Sequence, residues 1–323
     1  MRVTLIVNPF ASSVNHRTRV RIQQLLGEQH DLTVVETTKG GHAIRLAHGA
    51  ERAGAEVIIA LGGDGTINEV ANGVLQDGTD GTGDGDRPGA AIVPLPGGST
   101  NVFARSLGYP NDPVAATSVL VDGLKAQSFR RANVGLANGR AFLFHVGSGF
   151  DAAVVARVER RGPLKRWAGH PLFIAAAVAT WVRGVDRVNP PFTLATDDGR
   201  INDGAHLAIA LNCNPYTFLG SRPLDLAPEA TLDEPISLVT LQSLALHRLV
   251  AAAIGALRND TGVPDGGATN HWPSVTGATI AGFRPFHYQM DGEYMGMTSE
   301  LRIEHRPNAV TLVMPPPDHS TDV

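Results

Sequence analysis

A single cysteine in 323 residues leaves no partner for a disulfide within the chain. Cys213 closes the apolar run from Ala208 and reads as a small buried hydrophobe of a cytoplasmic protein. The apolar run Pro171 to Val182 has twelve residues, short of the roughly 18 needed to span a bilayer. Met1-Arg2-Val3-Thr4-Leu5 goes straight into strand-like sequence, so no cleavable signal is expected. Excess positive charge is lacking too: 27 Lys and Arg face 31 Asp and Glu. With neither a helix-turn-helix pattern nor RNA-binding sheet aromatics, no nucleic-acid partner is expected. Twelve histidines are scattered without a His-x-x-x-His or Cys-His pattern, which argues against zinc. Asp77 to Asp86 alternates Asp with Gly and Thr but lacks the EF-hand spacing and terminal Glu, and reads as a solvated loop.

What is present is concentrated in residues 57–75. Val57 to Leu61 form a β-branched run with no polar face, as in a buried parallel strand. Ile67, Val70, Ala71, Val74 and Leu75 then make one stripe of a helix. Between them, Gly62, Gly63 and Gly65 allow phosphate oxygens close to the backbone at a helix N-terminus. Asp64 is the anomaly, because a carboxylate beside a phosphate repels it unless a cation intervenes. Magnesium bridging, or removal of a proton from an acceptor hydroxyl, resolves that conflict. The expected chemistry is nucleotide-dependent phosphoryl transfer; Gly-Gly-Asp-Gly alone is equally compatible with an ordinary turn.

Four motifs in order give the turn its context. Leu5-Ile6-Val7-Asn8-Pro9, Thr37-Thr38-Lys39-Gly40-Gly41, Pro96-Gly97-Gly98-Ser99-Thr100-Asn101 and Met290-Asp291-Gly292-Glu293 flank Leu61-Gly62-Gly63-Asp64-Gly65-Thr66. Together they resemble the bacterial diacylglycerol kinase-like lipid kinases, related to sphingosine and NAD kinases, over nearly the whole chain. The resemblance implies ATP and Mg2+ as cofactors. Asn8, Thr38, Gly62, Gly63, Gly65, Thr66, Gly98, Ser99 and Asn101 are then expected to contact the nucleotide or its phosphates. Asp64 would act through the metal, and Glu293 would be the general base on a lipid hydroxyl, with Asp291 nearby. Two positions depart from the pattern: Val102 and Asn133 stand where the family commonly has Asp. Pro228 to Pro235 aligns with the family's accessory metal segment, with Glu234 for Asp and Pro235 for Gly, and a structural metal is not expected there. Kinases of sphingoid bases or NAD, and a relative with weakened activity, remain alternatives.

Strands at 3–7, 32–36, 57–61 and 90–95 alternate with helices at 16–27, 42–53, 66–76 and 112–124. This predicts an α/β N-terminal domain with a parallel sheet over 1–128. Short β-rich runs follow: 141–146, 192–196, 207–211, 236–241, 279–283, 286–290 and 301–304. They predict a β-rich, sandwich-like domain over 129–305, with 306–323 returning to the first. Helix 243–258 is expected to be core or substrate-pocket wall. From Arg157 to Arg187, seven Lys or Arg face only Glu159 and Asp186, among Trp167, Phe173 and Trp181. Such a segment suits peripheral docking on an anionic membrane surface or, as readily, a core helix with solvated flanks. The family includes dimers, so a homodimer is a possible partner state.

Overall fold

The computed structural model describes residues 1–76, 89–160, 165–258, 262–263 and 265–316, the side chains of 165–171 excepted. The Asp77–Asp86 loop, Arg161, the tail from Pro317 and the side chains of Lys165, Arg166 and Trp167 lie outside the described residues. The chain divides into two compact units, Met1–Ala132 with Asn308–Val323, and Asn133–Pro307.

The first unit runs β1 (Arg2–Val7), α1 (His16–Gly27), β2 (Asp31–Glu36), α2 (His42–Arg52), β3 (Val57–Gly62), α3 (Asp64–Leu75), β4 (Ala91–Pro96), α4 (Val102–Ser106) and α5 (Pro113–Lys125). All six residues of β3 and of β4 are buried, because helices cover both faces of a parallel sheet. The strands lie in the order β2-β1-β3-β4, all parallel, and the end of the chain joins beside β4 with Leu312 opposite Ile92. Tyr109 fastens that last strand by donating its hydroxyl to the Val313 carbonyl at 2.8 Å. Asp112 caps α5 through the N–H groups of Val114 and Ala115, and Pro113 supplies the first turn. Helix α3 begins at Asp64, two residues before the apolar stripe suggested, which places the acid within the helix's first turn. Five-residue α4 is too short for periodicity to reveal.

The second unit comprises β5 (Phe129–Ala137, entering from the first unit), β6 (Arg140–Phe142), β7 (His145–Gly149), α6 (Phe150–Glu159), α7 (Lys165–Arg183), β8 (Phe192–Thr196), β9 (Ile201–Ala205), β10 (Leu207–Leu211), β11 (Thr217–Leu219), β12 (Arg222–Leu224), β13 (Ile236–Leu241), α8 (Leu246–Ala256), β14 (Thr269–Val275), β15 (Gly277–Met290) and β16 (Glu293–Val313, whose end from Asn308 belongs to the first unit). Its main sheet is antiparallel in the order β14-β13-β10-β7-β15-β16. The runs at 279–283 and 286–290, read as two strands, are one bent strand. Ala278–Gly282 pairs β8, Tyr288–Met290 pairs β7, and the register slips between Ala281 and Phe286. One core gathers Phe142, Phe192 and Phe286; the other lies under the helices and gathers Phe150, Leu172, Ile209, Leu244 and Ala256. Helix α8 turns Leu249, Ala252 and Ala256 to this second core, while Leu246, Val250 and Ile254 are exposed where a core or pocket wall was expected.

Candidate active site

Two glycine turns of the first unit rest directly on one another. Gly62 pairs with Pro96, and the Gly97 N–H donates to the Gly62 carbonyl at 2.8 Å. A Cβ on Gly97 would lie 2.9 Å from the Gly62 Cα, and one on Gly98 2.8 Å from the Gly63 Cα, so only glycine permits this approach. Gly97→Ala should therefore force the turns apart and lower stability by about 1–3 kcal/mol. An unchanged urea midpoint by circular dichroism would show that the loops part freely.

Asp64 opens α3 and reaches across to α4. Its Oδ2 accepts from the Val102 N–H and its Oδ1 from the Phe103 N–H, both at 3.0 Å. The position where a second Asp was expected thus presents a buried valine side chain, and its backbone N–H is what Asp64 holds. Arg105 sits on the same short helix; burial lowers its pKa and the charge of Asp64 raises it. Asn101 is buried at φ 51°, its Oδ1 accepting from the Gly98 N–H at 2.8 Å. Its amide donates to the Gly98 carbonyl at 3.0 Å and to Asn111 Oδ1 at 2.8 Å. Asn101 therefore shapes the loop from within, and Ser99 is exposed at its surface.

Asn8, at the end of β1, donates to Thr66 Oγ1 at 3.0 Å and accepts from the Phe10 N–H at 3.0 Å. Thr38 is exposed, and its N–H donates to His42 Nδ1 at 3.1 Å. Glu69, unnoticed in the sequence, accepts from the N–H groups of Gly41 at 2.6 Å and Ala43 at 3.0 Å. It caps α2, whose own N-cap is a glycine without a capping side chain. The only signal for it was an acid in α3 and a helix start that lacked an acceptor. Among the described residues no three His, Cys, Asp or Glu side chains converge as a metal centre. A magnesium ion at Asp64 would thus take further ligands from phosphate oxygens and water, as Mg2+ commonly does.

The second unit holds Asp291 and Glu293. Asp291 and Gly292, at φ 47° and 78°, form a two-residue hairpin turn with Met290 opposite Glu293, the geometry that Asp-Gly favours. The Asp291 carboxylate, only 2% exposed, accepts from three backbone N–H groups. These are Leu143 at 2.8 Å, Phe144 at 3.0 Å and His145 at 3.1 Å. Glu293 follows, exposed, at the start of β16.

A buried polar cluster stands behind this turn, and it too was missed. Gly147-Ser148-Gly149-Phe150-Asp151 repeats the strand, glycine, helix order of residues 57–67, and that repetition was the available signal. Asp151 accepts from the Tyr216 hydroxyl and from Gln289 Nε2 at 2.9 Å. Burial raises its pKa against both hydrogen bonds. Gln289 in turn accepts from the Gly292 N–H at 2.9 Å, tying the cluster to the hairpin. His145 packs against Tyr216 with the rings tilted and their centroids 4.5 Å apart, and burial pushes its pKa down to about 3. Asn133, the other departure from the family pattern, donates to the Glu234 carbonyl at 3.2 Å, while Glu229 accepts from Ser237 at 2.7 Å and pairs with His271 at 2.6 Å.

A parallel α/β unit whose strand ends carry paired glycine turns, joined to a β-rich unit, defines the fold class of the diacylglycerol and NAD kinases. Residues 2–130 match the model of the diacylglycerol kinase catalytic domain. The chain is 25% identical to a diacylglycerol kinase of Staphylococcus aureus strain MRSA252, over 91% of this chain and 87% of that one. A probable YegS-like lipid kinase of Chromohalobacter salexigens is 37% identical over 43% of this chain, which spans 41% of that relative. Among solved structures, a diacylglycerol kinase from Bacillus anthracis superposes with a TM-score of 0.68 at 20% identity, covering 98% of this chain and 97% of that one. An Archaeoglobus fulgidus NAD kinase in complex with ATP superposes at 0.51 with 12% identity, covering 98% and 94%.

Proposed function

We propose that the chain is an ATP-dependent lipid kinase that phosphorylates the hydroxyl of diacylglycerol or a related lipid alcohol. The observation that carries this reading is the glycine-on-glycine turn pair at the start of α3, in a segment that matches the diacylglycerol kinase catalytic-domain model. The paired turns sit beside the α3 N-terminus, which favours phosphate charge. Magnesium, when bound, neutralises phosphate charge. Asp64 would hold the ion, and Asn8, Thr66 and Ser99 would add polar contacts to the phosphates, with Thr38 contacting the nucleotide. Glu293 takes the acceptor hydroxyl proton as its oxygen bonds to the γ-phosphorus, and the bond to the ADP oxygen breaks. Asp291 acts on this step by fixing the turn that carries Glu293.

Glu293 is exposed and outside the core, so Glu293→Gln should fold normally and bind ATP with unchanged affinity. Turnover should fall by roughly 10²-fold or more; near-normal turnover would remove Glu293 from the role of base. Incubation with labelled ATP and a panel of diacylglycerol, sphingoid base, other lipid alcohols and NAD identifies the acceptor. Phosphorylated diacylglycerol or a close lipid alcohol is expected. Transfer to NAD alone, or ATP binding without transfer to any acceptor, would overturn the proposal.

A further inference from the structure

Two helices of the second unit lay their inner faces on the same core and leave aliphatic stripes outside. On α7, Leu172 and Ala176 are buried in that core, with Ala177 and Trp181 packed against it; on α8, Leu249, Ala252 and Ala256 do the same. The Trp181 indole donates to the Leu244 carbonyl at 2.7 Å, just before α8 begins. Because both helices cover one cluster, their outer faces look out from the same side of the unit. Those faces carry Ile174, Val178 and Val182 on α7, and Leu246, Val250 and Ile254 on α8. Each set is spaced one turn apart, and all six are between 47% and 61% exposed. Apolar stripes of this kind outside a core mark an interaction surface.

Charge selects the occupant. Between residues 160 and 185, and again between 235 and 259, the sequence has seven Lys or Arg and no Asp or Glu, in a chain whose net charge is −4. The carboxylates flanking the first of these stretches are engaged: Glu159 accepts from the Tyr294 N–H at 3.1 Å, and Asp186 pairs with Arg284 at 3.5 Å. A second copy of this chain would bring like charges together across a two-fold contact. An anionic lipid surface meets both features at once, since aliphatic side chains enter the acyl boundary while cations stay among the headgroups.

We propose that the outer faces of α7 and α8 form one docking surface for an anionic bilayer. The surface deepens the lipid-kinase reading, which requires the acceptor to be met at a membrane, and extends the docking expected of residues 157–187 to α8. No helix among the described residues is long and apolar enough to cross a membrane, so the contact lies in the interface plane.

The test measures binding without ATP, as co-sedimentation with vesicles of phosphatidylglycerol and phosphatidylcholine, then of phosphatidylcholine alone. The protein should bind the anionic vesicles, and binding should weaken with added salt. Val178→Glu and Val250→Glu, each at an exposed position, should separately lower the partition coefficient about tenfold or more. Melting temperature and phosphorylation of a short-chain diacylglycerol below its critical micelle concentration should be unchanged. Wild-type protein that ignores anionic vesicles, or variants that partition like wild type, would overturn the proposal. So would a wild-type dimer that Val178→Glu dissolves without altering vesicle binding. Vesicle binding that follows these expectations, in a protein that phosphorylates no lipid, keeps the surface and rejects the kinase reading.

Discussion

Asp64→Asn is expected to lower turnover by roughly 10²–10³-fold, the scale for losing one aligned group that stabilises transition-state charge. It should also loosen α4. The wild-type carboxylate offers one oxygen to each of the Val102 and Phe103 N–H groups. An amide retains one of those acceptors and turns an NH2 toward the other donor, leaving a part-buried N–H unmet at about 1–3 kcal/mol. A five-residue helix cannot sustain itself without outside partners, and Asp64 supplies both an acceptor and the charge that a helix N-terminus favours. Hydrogen exchange at the Val102 and Phe103 amides should therefore accelerate in the variant, with turnover and ATP affinity measured on the same protein. Faster exchange together with lost ATP binding would assign Asp64 to shaping the phosphate loop. Unaltered ATP affinity with lost turnover would assign it to the chemistry, and unaltered exchange would dismiss the cap.

The same contact explains why Val102 is compatible with the fold. What α4 requires of residue 102 is an N–H for Asp64 and an apolar side chain for the core, and valine provides both. An Asp there would bring a second carboxylate to the helix that Asp64 already caps. The valine therefore leaves Asp64 as the acid of this loop pair and removes a neighbour that would repel it.

The parallel strands of the first unit were legible because burial on both faces writes unbroken apolar runs such as Val57–Leu61, and helices α1, α2 and α5 carried stripes or caps. Irregular pairing in the second unit was not legible. Strand β15 changes partner at a register slip, which reads as a break in the pattern, and α6 is buried nearly all round, so it shows no polar face. In the candidate site, glycine spacing and acid identity were readable, but hydrogen-bond destinations were not. Asp64, Asn101 and Glu69 accept from N–H groups 26 to 39 residues away or within a single turn, and no local pattern encodes such a meeting. Asp-Gly at 291–292 was read only as part of a catalytic motif, and its backbone angles show that it is also a hairpin turn.

Asp291→Asn is expected to destabilise the second unit by about 2–4 kcal/mol, more than any single change at Glu293. Three N–H groups in succession, at Leu143, Phe144 and His145, converge on this one buried carboxylate. The amide can satisfy those that met one oxygen, but it opposes the remaining donor with its own NH2. Positive φ at Asp291 adds a constraint that Asn tolerates nearly as well as Asp, so the loss isolates the charge and its acceptors rather than the turn. All three tryptophans, at 167, 181 and 272, belong to the second unit, so fluorescence during urea unfolding reports that unit alone. Its midpoint should fall in Asp291→Asn and stay at the wild-type value in Glu293→Gln. Turnover should fall in both variants, in the first because the turn that aims Glu293 loses its anchor and in the second because the proton acceptor is gone. A wild-type midpoint in Asp291→Asn would mean that the three N–H groups find water or another acceptor, and Asp291 would then be free to act on the substrate itself.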